Sequence, residues 1–223
     1  MEAVINIDSV FMKEALETYQ WAFASDFIRL YALYKEGGIY LDTDVLVYKS
    51  FDEFLHHKAF IGEERYYYYT MNKIHMGLTS HCFGAEKDHP FIKSCIDYYE
   101  GRHFITSYNE NLPVSLRYNQ TLMPYIQAEI ARKYGFDWSL RKSESIQLCD
   151  AGLTIYPPQL FDNGNWARET SESVCAHLTL GSWREPIVQE QKVPLKDKIF
   201  WRFILPLLRK WLKKFKYVIL RCD

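Results

Sequence analysis

Gly38-Ile-Tyr-Leu-Asp-Thr-Asp-Val45 is the stretch of this 223-residue chain that decides both its fold and its chemistry. The surrounding segment, Ile39–Tyr48, is rich in Ile, Val, Leu and Tyr, and it predicts a single β-strand. Side chains two residues apart on a strand project from the same side, about 6.5 to 7 Å apart along the chain. We therefore expect Asp42 and Asp44 to point together at the exit of this strand.

Two ionised carboxylates in this position repel each other, and a divalent cation would remove the repulsion. Oxygen ligands suit Mg²⁺ or Mn²⁺, which typically also bind diphosphate oxygens. A cation on a diphosphate improves it as a leaving group, because it neutralises the charge that develops there. Asp-x-Asp is nevertheless common by chance at the solvated end of a surface strand, so the pair alone leaves both interpretations open.

The residues before this stretch predict a strand followed by two helices. Residues 3–8 look like a short strand, and Ser9 would cap a helix that runs through about Trp21. Apolar residues recur at helical spacing from Ser25 onward, and Gly37-Gly38 would end that second helix. The order strand, helix, helix, strand predicts an α/β domain with a largely parallel sheet.

The later elements are less sharply defined. Helices are predicted over Pro90–Tyr99 and over Leu112–Lys133, the second interrupted near Pro124. Ser145–Tyr156 and Val174–Trp183 read as strand and turn segments.

Asp26 and Arg29 form a second candidate pair. They lie three residues apart on one helix face, where a local salt bridge is the simplest interpretation. The functional alternative is a carboxylate for sugar hydroxyls and a guanidinium for a phosphate or sugar.

Taken together, Ala24-Ser-Asp-x-x-Arg29 and Gly37-Gly-x-Tyr-x-Asp-x-Asp44 resemble the sugar-binding DxD region of the glycosyltransferase family 32 group. That group includes bacterial capsular-polysaccharide transferases, yeast initiating α-mannosyltransferases and, more distantly, glucosylating toxins. Weaker similarity continues in Gly84–Pro90 and Ile155–Pro158, and it ends with His177-x-x-x-Gly181-Ser-Trp183. Relative to such proteins the chain begins late, without their usual N-terminal segment of several tens of residues.

The resemblance implies a GT-A-type fold with a Rossmann-like nucleotide-binding sheet. It implies that Asp44 binds the metal directly, that Asp42 contacts the donor and assists the metal, and that His177 lies near the metal or the diphosphate. The remaining residues that it assigns to donor binding are Asp26, Arg29, Tyr40, Ser182 and Trp183. From the residues alone, a lone histidine near a strand end such as His177 is more often structural, and Trp183 could belong to the core.

The implied activity is a retaining, metal-dependent transfer of a hexosyl unit from a UDP- or GDP-sugar to a glycan or lipid-linked acceptor, in surface or capsular polysaccharide synthesis. One alternative is a truncated, inactive remnant or scaffold associated with a membrane. Another is a haloacid-dehalogenase-type phosphatase, in which the first Asp of such a strand would be phosphorylated. That class also needs a later paired-acid motif, and no convincing Gly-Asp-x-x-x-Asp follows here.

Charge divides the chain into an expected transferase domain, residues 1–190, and a tail, residues 191–223. The tail carries ten basic and two acidic residues, a net charge of +8, whereas the domain carries 17 basic and 26 acidic residues, a net charge of −9. An acidic body argues against nucleic-acid binding. The tail has the pattern of a basic amphipathic helix that lies on anionic membranes, although it could also dock on the domain or in a dimer.

Five scattered cysteines without CxxC spacing argue against a disulfide scaffold or a zinc site, and they favour a reducing compartment. No apolar run of 18 residues is present, and residues 1–8 lack the basic start of a signal peptide. The sequence therefore predicts a cytoplasmic protein, peripheral on the inner face of a membrane.

Overall fold

The computed structural model describes residues 9–70, 73–139, 146–162 and 170–178, with the backbone alone described at 66–70 and 73–75. The helices in this part are α1 (Val10–Glu17), α2 (Trp21–Glu36), α3 (Pro90–Asp97), α4 (Val114–Arg117), α5 (Met123–Ala131) and α6 (Pro158–Phe161). The strands are β1 (Gly38–Leu41), β2 (Val45–Val47), β3 (Ala59–Thr70), β4 (Lys73–Ala85), β5 (Gln147–Cys149), β6 (Leu153–Tyr156) and β7 (Cys175–His177).

The strands form a five-stranded sheet in the order β1-β4-β3-β6-β5 and a separate two-stranded sheet, β2-β7. The mixed α/β class is confirmed. The expectation of a mostly parallel sheet is wrong for the described strands, because only β3 and β6 pair in parallel. Two residues separate β3 from β4 in the chain, and so short a connection can join only antiparallel neighbours.

The core lies on both faces of the larger sheet, because successive side chains of its strands point in opposite directions. Ile61 of β3 and Phe83 of β4 join the larger cluster, which also contains buried residues of α1, α2, α3 and α5. Their neighbours Phe60 and Cys82 join a smaller cluster with Phe161 of α6 and Cys175 of β7. This second cluster fastens the two-stranded sheet to the larger one.

The reversal between the first two helices is shorter than predicted. Ser9 caps α1 as expected, since its Oγ accepts a hydrogen bond from the Met12 N–H at 3.2 Å. The prediction that α1 runs to Trp21 and that α2 begins at Ser25 is wrong, because α2 already begins at Trp21. Tyr19 adopts a left-handed backbone conformation, φ 59°, that ends α1 and turns the chain within three residues.

The predicted strand Ile39–Tyr48 is two strands with a turn between them. Gly37 ends α2 with φ 71°, and a Cβ at this position would lie 2.8 Å from the backbone nitrogen of Lys87, which is too close for any residue other than glycine. β1 then pairs with β4, whereas β2 pairs with β7. The Val45 N–H donates to the Asp42 carbonyl at 3.1 Å, closing a turn in which Asp and Thr are favoured residues. The two acidic residues therefore lie at the corner where the chain changes sheets.

The later helices agree with the sequence in position more than in length. The predicted helix at Pro90–Tyr99 is confirmed as α3, while Leu112–Lys133 contains the separate helices α4 and α5. Pro124 lies in the first turn of α5, where a missing N–H costs nothing, so it starts a helix rather than interrupting one.

Several predictions fall on residues outside the described ranges. These are the strand at 3–8, the turn at Gly181, the donor-binding residues Ser182 and Trp183, and the amphipathic tail at 191–223. Within the described ranges, none of the helices has the length and apolar content needed to cross a bilayer. The four cysteines described, Cys82, Cys95, Cys149 and Cys175, are buried and free.

Glu14 of α1 holds the loop that follows α3, and replacing it should destabilise the protein in a pH-dependent way. Its Oε2 accepts hydrogen bonds from the N–H groups of Phe104 at 2.7 Å and Ile105 at 3.0 Å, and its Oε1 lies 2.7 Å from His103 Nδ1. Partial burial acts to raise the pKa of Glu14, but the hydrogen bonds from these three residues lower it below 4.5. We expect Glu14→Gln to cost about 1.5–3 kcal/mol at neutral pH, as for hydrogen bonds to a charged group.

Because the folded pKa is depressed, this stabilisation is complete above about pH 4.5 and is lost as pH falls through the folded pKa. Urea unfolding at several pH values should show the difference between wild type and Glu14→Gln shrinking in acid. Glu17→Gln, an exposed change on the same helix, is the matched control. A difference that stays constant with pH would contradict the role assigned to the Glu14 charge.

Candidate functional site

The turn between β1 and β2 brings Asp42 and Asp44 together with His177. The register of β2 and β7 sets Val45 opposite His177, and the Leu178 N–H donates to the Asp44 carbonyl at 2.9 Å. His177 Nε2 lies 3.3 Å from Asp44 Oδ1. One potential ligand atom from each of Asp42, Asp44 and His177 lies within 4.8 Å of the others.

Arg29 links this turn to α2 through five polar contacts. Its guanidinium lies 3.1 Å from Asp42 Oδ1 and 3.3 Å from Asp26 Oδ1, and the residue is only 8% exposed. It also donates to the Ser80 carbonyl at 2.9 Å, to the Ser25 carbonyl at 3.3 Å and to Ser25 Oγ at 2.9 Å. Burial lowers the pKa of Arg29, but the two carboxylates outweigh burial and raise it, so the guanidinium stays charged.

Tyr40 positions the Asp42 carboxylate. The Tyr40 hydroxyl donates to Asp42 Oδ1 at 2.6 Å, and the Arg29 guanidinium lies over the Tyr40 ring at 4.7 Å from its centroid. Burial chiefly raises the pKa of Tyr40, with the neighbouring Asp42 carboxylate acting in the same direction, so the hydroxyl remains a donor. The Oδ1 atom of Asp42 is thus held from two sides, and a carboxylate has a second oxygen available to another ligand.

Negative charge is in excess at this site. Burial raises the pKa of Asp26 to about 7, against the lowering effect of Arg29, and the nearby Asp42 contributes to the rise. The Arg29 guanidinium lies against Asp26 and Asp42, and Asp44 adds a third carboxyl group close to Asp42. A bound cation would offset the surplus, because the interaction between charges is stronger in a partly buried site than in water.

The donor atoms present fit a divalent cation. Each bond from Mg²⁺ to an oxygen is about 2.1 Å, so neighbouring ligand atoms on an octahedral ion lie about 3 Å apart. The 3.3 Å separation of His177 Nε2 and Asp44 Oδ1 is close to this spacing. Two carboxylates favour Mg²⁺ or Mn²⁺, and an imidazole nitrogen shifts the preference toward Mn²⁺.

His81 is a part of the site that the sequence did not assign. Its ring stacks on the His177 ring with centroids 4.3 Å apart, and its carbonyl accepts a hydrogen bond from the Asp42 N–H at 2.9 Å. Burial chiefly lowers the pKa of His81, to about 4, with His177 adding to the effect, so the ring is neutral at physiological pH. Its Nε2 lies 3.0 Å from the Phe161 carbonyl, which fixes the N–H on that nitrogen.

The structure brings together six of the eight residues predicted for the site, namely Asp26, Arg29, Tyr40, Asp42, Asp44 and His177. Ser182 and Trp183 lie outside the described residues. Ser25, Ser80 and His81 complete the network, and sequence reasoning missed their roles. Ser25 could have been found, because it stands four residues before Arg29 on the same helix face. The contributions of Ser80 and His81 include backbone carbonyls, which carry no sequence signal.

Comparison with known proteins gives a class for this arrangement. A family model described as the glycosyltransferase sugar-binding region containing the DXD motif matches residues 2–61, which include Asp26, Arg29, Tyr40, Asp42 and Asp44. The mixed α/β architecture is consistent with the GT-A-like fold expected for such a region.

Part of the chain is also similar to a known transferase. Inositol phosphoceramide mannosyltransferase 3 of Schizosaccharomyces pombe is 34% identical over 68 residues, which make up 30% of this chain and 17% of that protein. The match therefore spans less than a fifth of that relative's length. Both similarities support a relationship to glycosyltransferases, and the family match includes the turn that carries Asp42 and Asp44.

Tyr40→Phe should separate the positioning of Asp42 from the packing beneath Arg29. The ring that lies under the guanidinium is kept, while the hydrogen bond to Asp42 Oδ1 is lost. We expect a loss of about 1.5–3 kcal/mol in the free energy of unfolding, the usual range for a hydrogen bond to a charged group. We also expect weaker Mn²⁺ binding, measured by calorimetry.

Tyr31→Phe, at a half-buried tyrosine whose ring stacks on Phe27 of the same helix, is the matched control. Equal stability and equal Mn²⁺ affinity in Tyr40→Phe and wild type would show that Asp42 is positioned without the Tyr40 hydroxyl.

Proposed function

We propose that this protein is a metal-dependent glycosyltransferase that transfers a hexosyl unit from a UDP- or GDP-sugar. The observation that carries the proposal is the convergence of Asp42, Asp44 and His177 within 4.8 Å, beside the buried Arg29 that joins Asp42 to Asp26. The alternative of a solvated strand end does not explain why a guanidinium is buried between two carboxylates. Removing these charged groups from water is costly, so their burial indicates a functional arrangement.

Each residue has a proposed role in donor binding. Asp42, Asp44 and His177 would hold the cation, and Asp26 would accept hydrogen bonds from hydroxyl groups of the donor sugar. Arg29 fixes the orientation of both Asp26 and Asp42, and its charge favours an anionic donor nearby. When bound, the cation would neutralise charge on the diphosphate leaving group. Ser182 and Trp183 are proposed to cover the phosphates.

The resemblance to the glycosyltransferase family 32 group also supports a proposal for the stereochemistry and the acceptor. Transfer would retain the anomeric configuration, by a front-face route in which the leaving phosphate helps to deprotonate the acceptor hydroxyl. The acceptor would be a glycan or a lipid-linked sugar, in surface or capsular polysaccharide synthesis. The similar yeast protein is named as a mannosyltransferase, so GDP-mannose belongs among the first donors to examine.

The tail at 191–223 is proposed to hold the protein on an anionic membrane at the inner face, where a lipid-linked acceptor would lie. Its charge of +8 favours such a surface. Flotation with anionic liposomes should recover the full chain and should recover much less after deletion of 199–223. Equal recovery of both would remove membrane binding from the proposal.

The donor is tested directly with a panel of UDP- and GDP-sugars. The expected result is Mn²⁺-dependent hydrolysis of one donor in the absence of acceptor, detected as release of nucleoside diphosphate, together with saturable binding by calorimetry. Absence of both binding and hydrolysis for every donor, in a chain shown to be folded by circular dichroism, would instead favour a remnant or scaffold that has lost the activity.

A further inference from the structure

Two exposed aromatic side chains stand together at the start of α2. Tyr19 is 75% exposed and Trp21 is 61% exposed, and their ring centroids lie 5.9 Å apart at an angle of 65°. An edge-to-face pair at this distance is attractive, so the two rings support each other's orientation. Side by side, the two rings present one exposed aromatic surface that is open to a ligand.

The aromatic pair is connected to the Arg29 network along α2. Trp21 and Ser25 are four residues apart on one face of α2, about 6 Å along the helix axis. Arg29 Nη2 donates to Ser25 Oγ at 2.9 Å, and Ser25 Oγ donates to the carbonyl of Ala22 at 2.7 Å. Since Ala22 directly follows Trp21, two hydrogen bonds join the Arg29 guanidinium to the backbone that carries the aromatic pair.

The left-handed backbone conformation of Tyr19 indicates that its exposed ring has a function. The Tyr19 N–H donates to the Leu16 carbonyl at 3.1 Å, and the Gln20 N–H donates to the Ala15 carbonyl at 2.8 Å. These are the two bonds of the helix-ending motif in which glycine is the favoured residue, because its left-handed conformation is strained for other side chains. Here tyrosine occupies that position with φ 59°, and its exposed ring gains little from burial in return.

We propose that Tyr19 and Trp21 form a binding platform for a pyranose ring of the acceptor glycan. The proposal rests on the function proposed above. Aromatic side chains present a broad apolar face with few rotatable bonds, which suits stacking against the C–H face of a sugar. A sugar is favoured over other occupants because the platform is joined to Arg29, which holds the carboxylates of the donor site.

The test is fluorine NMR on the full chain labelled with 5-fluorotryptophan, with the Trp21 resonance assigned from Trp21→Phe. Methyl glycosides of glucose, galactose, mannose and N-acetylglucosamine are titrated with Mn²⁺ and UDP or GDP present. The expected result is a saturable shift of the Trp21 resonance with at least one glycoside. Tyr19→Gly should weaken that affinity about tenfold, equivalent to about 1.4 kcal/mol, while leaving the melting temperature equal to that of wild type or higher.

Leu148→Ala is the matched control, since Leu148 is 78% exposed on β5, at the opposite edge of the sheet from β1. It should leave glycoside affinity unchanged. A Trp21 resonance that does not respond to any glycoside, or that responds only to phosphatidylcholine–phosphatidylglycerol vesicles, would overturn the proposal. Mn²⁺-dependent donor hydrolysis, measured without acceptor on the same sample, reports separately on the proposed function.

Discussion

Asp44→Asn is expected to reduce Mn²⁺-dependent donor hydrolysis by at least about a hundredfold, the upper end of what loss of an outer-sphere partner of a metal ligand usually costs. The side chain changes in charge but hardly in size, and the Asp44 carbonyl still accepts the Leu178 N–H. The fold should therefore survive. Removing one carboxylate beside Asp42 also relieves repulsion, so the melting temperature without metal should be unchanged or slightly higher.

A second measurement separates the loss of metal binding from other causes. A cation that binds only the folded chain raises its melting temperature by mass action. Wild type should therefore be stabilised by Mn²⁺, and Asp44→Asn should not. Asp150→Asn, an exposed change in the turn between β5 and β6, is the matched control and should behave as wild type. Mn²⁺-dependent stabilisation and turnover that persist in Asp44→Asn would show that Asp44 is not a metal ligand.

The strand periodicity around Asp42 and Asp44 predicted the right contact for the wrong structural reason. The sequence predicted that the two carboxylates would converge, on the ground that both project from one strand. They do converge, but in a turn between two strands that belong to different sheets. Apolar residues on both sides concealed the break, because a strand–turn–strand and a single strand have nearly the same composition over ten residues.

Contacts between residues close in sequence were predicted better than contacts between residues far apart in sequence. Asp26 and Arg29 share a helix face, so helical spacing alone predicted their contact. His177 lies about 130 residues beyond Asp44, and its position depends on the pairing of β2 with β7. Only the resemblance to a known family indicated that contact in advance. The His81 ring behind His177 had no such indication, since no sequence period marks a histidine in a strand as part of a site.

Arg29→Met is expected to be the most destabilising substitution in the described part of the site. Methionine fills much of the same space, but Asp26 and Asp42 lose the cation that lies between them. Breaking one partner out of a buried ion pair typically costs about 3–5 kcal/mol, because it leaves uncompensated charge away from water. For a protein of this size, that corresponds to a fall in melting temperature of about 10 °C.

Lys93→Met is the control, since Lys93 is exposed and pairs with Asp97 on the surface of α3, where little change in melting temperature is expected. Adding Asp26→Asn to Arg29→Met should restore part of the stability, because residue 26 then neither buries an uncompensated charge nor has to take up a proton to avoid one. An Arg29→Met protein as stable as wild type would mean that water reaches Asp26 and Asp42 freely.

The Asp26 carboxyl group makes the free energy of unfolding of the wild-type protein depend on pH. Burial raises the pKa of Asp26 from 3.8 in the unfolded chain to about 7 in the folded chain. Between these values the folded chain holds a proton that the unfolded chain lacks, so this group makes the free energy of unfolding fall as pH rises, and the decline stops above about pH 7. In metal-free buffer, Asp26→Asn should remove that decline. The outcome bears on function, because a carboxyl group that keeps its proton until about pH 7 can both donate to and accept from a sugar hydroxyl.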